Sequence, residues 1–457
     1  MQGIEADMRQ PGLETAVRKR TVSSLYFKPS QALILPLLVA SMFPSSVNAQ
    51  QSDVLEDFRG ESLQFKRHDN LAVRDRPQPE YDPVPYRIDG VEIMPSISID
   101  TLYDSNIFAV RDASDDLIVR IRPKITAATQ LGSFNIATAA EVDRRQYLST
   151  GSQSTTDYTL GLRGRWDAGR DSQIYAGTRN GQTTEDRTDP ASPLNLQKPV
   201  QYRYASGFLG AGQSFNRLRI AGRIGVEMRN YEDGRDGLDI LVDQDFRNRT
   251  IFTSDLAAEF AISPDTSIFI NGKVNRRDYV KQPLLEPSRD SKGYEITAGT
   301  SFQLSKLIRS EIGIGYFRQN FEDAGFEDVD GFAARAKLEY FITPLVTLTA
   351  RGNRGVEESS TLGSGAYVAT SFSLTADYEL LRNLIVSASA GYERDRFQDI
   401  DRRYNITSAT MRAEWRLAPR YALHAQYDFR EQDASGTFPG REFSRHRFLA
   451  GITIAGM

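Results

Sequence analysis

The sequence predicts an all-β fold: a transmembrane antiparallel β-barrel of about 18 strands, with short turns at one end and long loops at the other. Three observations carry this prediction. They are a period of two in hydrophobicity, a regular alternation of short and long connections, and the placement of the aromatic residues. Beyond Gln50, no run of about 18 apolar residues occurs in the 457-residue chain, so no transmembrane helix is expected there.

The stretch 250–274 shows the period of two most clearly. Alternate residues from Phe252 to Ile262 are mostly apolar, and the residues between them include two carboxylates. After the turn signal Ser263-Pro264-Asp265, the alternation resumes as far as Val274. Two such runs joined by a tight turn indicate a hairpin with one apolar and one polar face. The unit recurs from Val91 onwards in runs of about 10 to 15 residues, the length that a tilted strand needs to cross a bilayer.

The connections alternate in length. The short ones are 130–133, 168–171, 263–265, 343–344, 382–383 and 418–420. The long polar ones are 103–115, 148–156, 183–198, 232–249, 281–291, 321–331, 357–365, 394–403 and 432–442. Short periplasmic turns and long extracellular loops are typical of outer-membrane barrels, whereas a soluble sandwich has no reason to alternate in this way.

Aromatic residues on the predicted outer faces form two belts. The belt near the short turns holds both tryptophans of the chain and consists of Trp166, Phe260, Phe302, Tyr340, Tyr378 and Trp415. The belt near the long loops consists of Tyr103, Tyr158, Tyr294, Tyr316, Phe332, Tyr392 and Phe429. Aromatic girdles at headgroup depth account for this placement. The alternative is the general preference of aromatic residues for strands, which does not explain why both tryptophans lie at one end.

Composition and segment order exclude several classes of protein. The formal net charge of −4 and the pI of about 5.7 argue against a nucleic-acid partner, which would leave a basic footprint. The absence of cysteine excludes disulfides and thiolate metal sites. Residues 1–49 are predicted to be a signal peptide, because basic residues precede an apolar run at 32–43 and small residues at 47–49. A buried helix is the alternative interpretation of that run.

The chain after the signal peptide divides into two predicted parts. Residues 50–90 are polar and proline-rich and are predicted to form a periplasmic leader, and residues 91–457 are predicted to form the barrel. The composition of the leader favours a loosely ordered tail over a plug inside the barrel.

Four motifs lie close together between residues 76 and 124. They are a proline-rich lead from Pro77 to Pro85, Pro95-Ser96 in the first strand, the loop Asp104-Ser105-Asn106-Ile107-Phe108, and Arg122-Pro123 in the second strand. Together they resemble the start of a family of bacterial outer-membrane β-barrel porins of the porin-2 type. Because members of that family often occur beside exopolysaccharide genes, the resemblance implies a role in the passage or secretion of a polymer. The chain departs from a common barrel feature in ending on Ile454-Ala455-Gly456-Met457 rather than on an aromatic residue.

Many charges fall on the predicted inner face, where they need water or each other. The predicted pore-lining residues are Arg120, Arg122, Lys124, Glu141, Asp143, Arg163, Arg165, Arg219, Arg223, Asp255, Glu259, Arg335, Lys337, Glu339, Arg412, Glu414, Arg416, His424 and Asp428. A barrel of this strand number is wide enough for an aqueous lumen. The basic clusters on the early strands favour anions or acidic polymers. A ladder of structural ion pairs that supports the wall is the alternative for most individual residues.

Catalysis and metal binding find little support. The three histidines, His68, His424 and His446, have no spacing to a nucleophile that marks a catalytic set. The acidic loops 233–239 and 327–330 offer oxygen ligands for Ca²⁺ but lack a recognised spacing, and solvated loop charge is the favoured interpretation. We therefore expect no enzymatic activity, no cofactor and no metal.

The expected function is a channel or porin of the bacterial outer membrane. It would pass small anionic solutes, or pass or help to secrete an exopolysaccharide. One alternative is a non-conducting barrel, plugged by its loops or by residues 50–90, that acts in adhesion or as an assembly scaffold. A minor alternative is an outer-membrane hydrolase. The expected partners are outer-membrane lipid, the barrel-assembly machinery and components of polysaccharide export, and no nucleic acid.

Overall fold

The computed structural model describes residues 70–190, 192–193, 196–282 and 287–456. The predicted signal peptide and the first part of the predicted leader, residues 50–69, lie outside the described residues. Among the described residues, no helix has the length and apolar character needed to span a bilayer. The only helical segments in this part of the chain are three single 3₁₀ turns at Val73–Asp75, Gly151–Gln153 and Asp245–Arg247.

Eighteen long antiparallel strands form the wall of the molecule. They are β1 (Val91–Asp104), β2 (Asp116–Leu131), β3 (Phe134–Tyr147), β4 (Thr155–Asp167), β5 (Ser172–Thr184), β6 (Gln201–Phe215), β7 (Leu218–Tyr231), β8 (Arg249–Ser263), β9 (Thr266–Tyr279), β10 (Ser291–Leu304), β11 (Ile308–Phe321), β12 (Val329–Thr343), β13 (Val346–Glu358), β14 (Ala366–Leu381), β15 (Leu384–Phe397), β16 (Arg403–Ala418), β17 (Tyr421–Ser435) and β18 (Phe443–Ala455). Each has 13 to 16 residues, more than the usual 5 or 6 of soluble sheets.

The sheet closes on itself, because β1 pairs with both β2 and β18. Nine residue pairs join β1 to β18, from Ser96 opposite Ala455 to Asp104 opposite Arg447. Every strand therefore has two hydrogen-bonded neighbours, which leaves no open edge in the membrane. The predicted closed antiparallel barrel of about 18 strands is confirmed.

Short turns join the strands at one end, and long loops join them at the other. Register shifts at Ser263, Thr343, Leu381 and Ala418 each precede a two-residue turn, and three of these turns begin with proline. Proline fits there because its fixed φ suits the first turn position, and no ladder hydrogen bond is lost. By the rule for outer-membrane barrels, the short turns face the periplasm and the long loops face outwards.

Apolar side chains lie on the outside of the barrel. Ile99, Leu160, Leu256, Ile314 and Met411, which lie on β1, β4, β8, β11 and β16, have large exposed fractions. Such a continuous apolar exterior is costly in water and favourable in lipid. Buried apolar clusters occur mainly towards the long-loop end, for example Phe397, Tyr404 and Ile406.

The structure places the residues of the predicted short-turn girdle on the same side of the wall as this apolar exterior. Trp166 stacks on Phe134 of the neighbouring strand with ring centroids 5.6 Å apart. Trp415 and Tyr378 are exposed in the same band.

Candidate functional site

The strand register places the predicted pore-lining charges on the face opposite to the exposed apolar side chains. The interior therefore has a charged wall, and many of these charges contact another charged group on the same strand or on a neighbouring one. The structure sorts them into clusters, several of which join two or more strands.

The densest cluster lies at the seam where β1 meets its neighbours. The buried carboxylate of Asp100 accepts hydrogen bonds from Arg122 Nη2 at 3.1 Å and from His424 Nε2 at 2.6 Å. Beside it, Asp143 accepts two bonds from Arg120, at 2.8 and 2.7 Å, and one from Arg145 at 2.9 Å. Bidentate arginine–carboxylate pairs of this kind are strong and hold a fixed geometry. The cluster ties β17 to β1, β2 and β3.

Similar pairs occur elsewhere on the wall. Glu339 contacts Arg309 at 2.7 Å and Lys337 at 3.1 Å. Glu414 lies between Arg412, at 3.2 Å, and Arg416, at 3.0 Å. These geometries fit the alternative interpretation, in which ion pairs support the wall.

The remaining predicted residues have more varied neighbours. Lys124 lies 4.0 Å from Glu141, and Arg165 lies 3.2 Å from Asp167. Asp428 accepts bonds from Gln426 and Thr410 at 2.9 Å.

Towards the middle of the wall, on β7 and β8, the Arg223 guanidinium lies 4.3 Å from the centre of the Phe208 ring. Asp255 lies opposite Arg223 and Lys273 in the register, and Glu259 accepts a hydrogen bond from Ser267. Arg335 lies between Gly313 and Asn353 in the register. Arg163 and Arg219 occupy inner-face positions of β4 and β7.

The loop that follows β5 folds inwards instead of extending away from the barrel. We call the described residues of this loop, 185–190, 192–193 and 196–200, the crossing loop. Asp186 Oδ1 lies 3.3 Å from Arg445 Nη1 of β18, and Arg441 donates to Ser192 O at 3.3 Å and to Pro193 O at 3.2 Å. Asp189 lines a cavity that also includes Tyr367 of β14. Because β5 and β14 lie on opposite sides of an 18-strand barrel, the loop crosses the lumen.

A buried ion pair anchors the start of the crossing loop. Arg247 donates from both terminal nitrogens to the Glu185 carboxylate, and its guanidinium lies 4.1 Å from the centre of the Tyr231 ring. Further along, the buried Arg187 donates to Gln153 Oε1 at 2.8 Å and to Leu196 O at 3.0 Å. Burial is the main cause that lowers the pKa of Arg187 to about 10, and the nearby Arg441 adds to it.

A cavity of about 470 Å³ lies beneath the crossing loop, within the size range of small-molecule sites. Its lining includes six cationic side chains, five carboxylates and four tyrosines. Glu358 is shared between two guanidiniums, with Arg249 Nη2 at 2.6 Å and Arg277 Nε at 3.0 Å. One carboxylate between two arginines leaves a local positive charge, and Tyr231 and Tyr279 add aromatic faces next to it.

At the opposite end, residues 70–85 lie against the inner wall close to the short turns. We call this segment the strap. It contacts Arg309 of β11 through Asn70 O at 3.5 Å, and Arg416 of β16 through Asp82 at 2.7 Å. Between these contacts Val73 is fully buried, and its N–H donates to Thr347 Oγ1 at 3.2 Å. After the strap, Tyr86–Ile88 pairs with the first residues of β1.

The strap differs from the loosely ordered tail that composition favoured for this part of the leader. The reason is that charged and apolar groups far along the chain fix it. Arg76 Nη1 lies 3.0 Å from Glu379 Oε2, and Arg76 Nη2 donates to Pro344 O at 2.6 Å.

The acidic loop 233–239 and the residues that follow it make structural contacts. Asp236 Oδ1 accepts bonds from the N–H groups of Leu238 and Ile240, both at 2.9 Å, so it shapes its own turn. Asp243 and Asp245 form an exposed carboxylate group with Asp233, and the Lys281 ammonium contacts Asp243 and lies 3.5 Å from Asp245. A lysine at that position already supplies the positive charge.

Comparison with known proteins supplies the family. Residues 78–455 match the model of a family described as "Putative beta-barrel porin 2". The chain belongs to this family. The predicted resemblance is therefore confirmed, and the chain is a barrel of the bacterial outer membrane. A comparison with curated proteins found no match.

Several solved structures are similar to this barrel. OccK1 (OpdK) of Pseudomonas aeruginosa matches with 10% identity and a TM-score of 0.45, over 79% of this chain and 98% of that one. OccK2 (OpdF) of the same organism, solved in complex with glucuronate, matches with 10% identity and a TM-score of 0.45, over 81% and 99%. The copper transporter OprC matches with 12% identity and a TM-score of 0.46, over 81% of each chain.

Several residues of the interior were not among those predicted from the sequence. Asp100 lies on the inner face of β1, and its position in the period of two is the signal that indicates this direction. Tyr231, Tyr279 and Glu358 lie at strand ends, where the alternation is lost in the long loops. Nothing in the sequence indicated that Arg247 pairs with Glu185.

Proposed function

We propose that this porin is a channel for small hydrophilic solutes, with a preference for those that carry an anionic group. The observation that supports the proposal is the cavity beneath the crossing loop. There Arg249 and Arg277 share the carboxylate of Glu358. Arginine at a constriction attracts anions and pairs with carboxylates in a fixed geometry.

The test is a measurement of conductance and ion selectivity. Purified full-length protein in planar bilayers should conduct, and its reversal potential in a KCl gradient should show a preference for Cl⁻. Arg277→Gln removes one positive charge beside the cavity and leaves Glu358 paired with Arg249. We expect it to lower the ratio of Cl⁻ to K⁺ permeability. The matched control is Arg203→Gln, because Arg203 is an exposed arginine on the outer side of β6.

The outcomes separate the alternatives. No conductance from the full protein, and none from a variant that lacks residues 50–90, would remove the channel in favour of a non-conducting barrel. Conductance with equal effects of Arg277→Gln and Arg203→Gln would retain the channel and remove the anion preference.

Passage of an exopolysaccharide is the more demanding form of the proposal, and the family resemblance is its support. It requires the crossing loop to leave the lumen, because a polymer cannot pass a segment that spans the barrel. Deletion of the gene should then prevent polymer from reaching the cell exterior. Normal export in the deletion strain would eliminate this form and leave the small-solute channel intact.

A further inference from the structure

The inner wall has an acidic side formed by β14 and β15. At inner-face positions of these two strands the charged residues are Asp377, Glu379, Glu393 and Asp395, with no lysine or arginine among them. By contrast, the inner faces of β7 to β9 carry six cations (Arg219, Arg223, Arg229, Arg249, Lys273 and Arg277) and three carboxylates. The lumen therefore separates charge between two sides of the barrel.

The strap supplies the cations that the acidic side lacks at its short-turn end. Arg74 Nε lies 2.6 Å from Asp377 Oδ1 and 3.0 Å from Ser387 Oγ. Arg76 Nη1 lies 3.0 Å from Glu379 Oε2. The side chains of Asp377 and Glu379 are only 7% and 10% exposed, since the strap covers them. Among the described residues, these two arginines are the only cations within ion-pair distance of the two carboxylates.

We propose that Arg74 and Arg76 determine the ion preference of the channel at its periplasmic mouth by neutralising Asp377 and Glu379. This inference rests on the proposed channel function. Uncompensated carboxylates at the mouth of a channel raise the local concentration of cations and repel anions. With the strap in place, the mouth presents closed ion pairs, and the arginines near the other end dominate selectivity. With the arginines neutralised, the two carboxylates beneath the strap lose their counter-charges, and the mouth carries a net negative charge that attracts cations.

The position of the two arginines makes the strap suited to this role. Each is partly exposed to the lumen, while its carboxylate partner is buried, so the positive charge faces solvent and the negative charge does not. The buried Val73 and its bond to Thr347 hold the strap in register with β13 and β14. The strap therefore has anchors besides the two arginines, including the pair of Asp82 with Arg416, and these should keep it in place when the arginines are substituted.

The test uses the full chain in planar bilayers under a KCl gradient. The double variant Arg74→Gln/Arg76→Gln should raise the ratio of K⁺ to Cl⁻ permeability by roughly threefold or more, because two carboxylates lose their counter-charges. Adding Asp377→Asn/Glu379→Gln to it should return the ratio to the wild-type value. The matched control is Arg87→Gln, since Arg87 also belongs to the leader, just after the strap, but pairs with Glu92 at 2.9 Å, away from the acidic side. The heat-dependent shift of the folded band on gels verifies that each variant forms the barrel.

The outcomes separate the proposed channel function from the proposed role of the strap. A wild type that does not conduct would overturn the proposed channel. A conducting wild type whose ratio is unchanged in the double variant would overturn only the role of the strap. The same holds if the quadruple variant fails to restore the ratio, or if Arg87→Gln shifts it equally.

Discussion

Replacing Arg247 by Met should release the crossing loop from the lumen. The Arg247 and Glu185 side chains are 2% and 6% exposed, which makes this one of the most buried ion pairs in the described part of the chain. The pair holds the first residue of the crossing loop against the loop that precedes β8. Arg247→Met keeps much of the side-chain volume but leaves the Glu185 carboxylate buried without a counter-charge.

The magnitude follows from burial. Breaking a buried pair by removing one partner costs about 3 to 5 kcal/mol, because an uncompensated charge remains. Loss of the contact with the Tyr231 ring, 4.1 Å from the guanidinium, adds about 1 kcal/mol or more. Since about 1.4 kcal/mol corresponds to a factor of ten, the population of the undocked loop should rise by roughly 10² to 10⁴. The barrel itself should remain folded, because its eighteen strands do not depend on this contact.

Amide hydrogen exchange measures that population directly. The Glu185 N–H donates to Val200 O at 2.8 Å, and the Gln197 N–H donates to Arg235 O at 2.8 Å. The first bond joins the two ends of the crossing loop and continues the β5–β6 ladder, whereas the second joins the loop to a residue outside it. The Gln197 amide should therefore exchange faster by that factor, and the Glu185 amide should change less. The double variant Glu185→Gln/Arg247→Met should recover much of the protection, because it leaves no buried charge unpaired.

The control is Arg111→Met, which breaks the exposed pair of Arg111 with Glu442. Such surface pairs contribute about 0 to 1 kcal/mol, so exchange in the crossing loop should stay within about fivefold of wild type. An acceleration of less than about tenfold in Arg247→Met would show that the buried pair does not hold the loop. Lower protection in the double variant than in the single one would show that an unpaired buried charge is not the cause of the release.

Three further predictions concern the pH dependence of conductance, the lipid-facing side chains and the depth of the tryptophans in the membrane. Burial raises the pKa of the Asp186 carboxyl, but Arg445 and the Thr188 N–H outweigh it and lower the pKa below 3.8. The ion pair of Asp186 with Arg445 therefore holds the crossing loop in the lumen above pH 4. As the pH falls below about 4, protonation of Asp186 should release the loop, and conductance should increase. Leu256→Arg, on the lipid face at 61% exposure, should lower the free energy of unfolding in vesicles by about 2 to 4 kcal/mol. The fluorescence of Trp166 and Trp415 should be quenched more by lipids brominated near the headgroup than by those brominated at the chain end.

Each of these has an outcome that would contradict it. Asp186→Asn should show at neutral pH the conductance that wild type reaches in acid, and an unaltered pH profile would count against the loop anchor. Asn271→Arg, on the inner face of β9, is the control for Leu256→Arg and should have little effect on unfolding. Equal losses of unfolding free energy in both variants would mean that the outer and inner faces of the wall are not exposed to different environments, lipid and water. Stronger quenching from the chain end would place the tryptophans away from the interface.

The sequence by itself determined the wall of this protein. A strand crossing a membrane encodes its two faces in consecutive residues, so the alternation around Leu256 and Ile270 was sufficient to predict which side chains face lipid. Its recurrence along the chain predicted the number of strands, and the alternating lengths of the connections predicted their orientation. The turn signals at Pro264, Pro344 and Pro419 marked one end of the barrel for the same reason, since a two-residue turn is a local property. The family motifs between residues 76 and 124 added the membrane in which the barrel lies.

Only the tertiary structure decided what fills the barrel. The His424 ring and the Asp100 carboxylate are 324 positions apart in the chain, and Arg416 and Asp82 are 334 apart. No local pattern records such contacts, because they depend on closure of the first strand against the last and on the path of segments that belong to no strand. The crossing loop and the strap are both of this kind. Their positions are fixed by charges that meet only after eighteen strands have come into register.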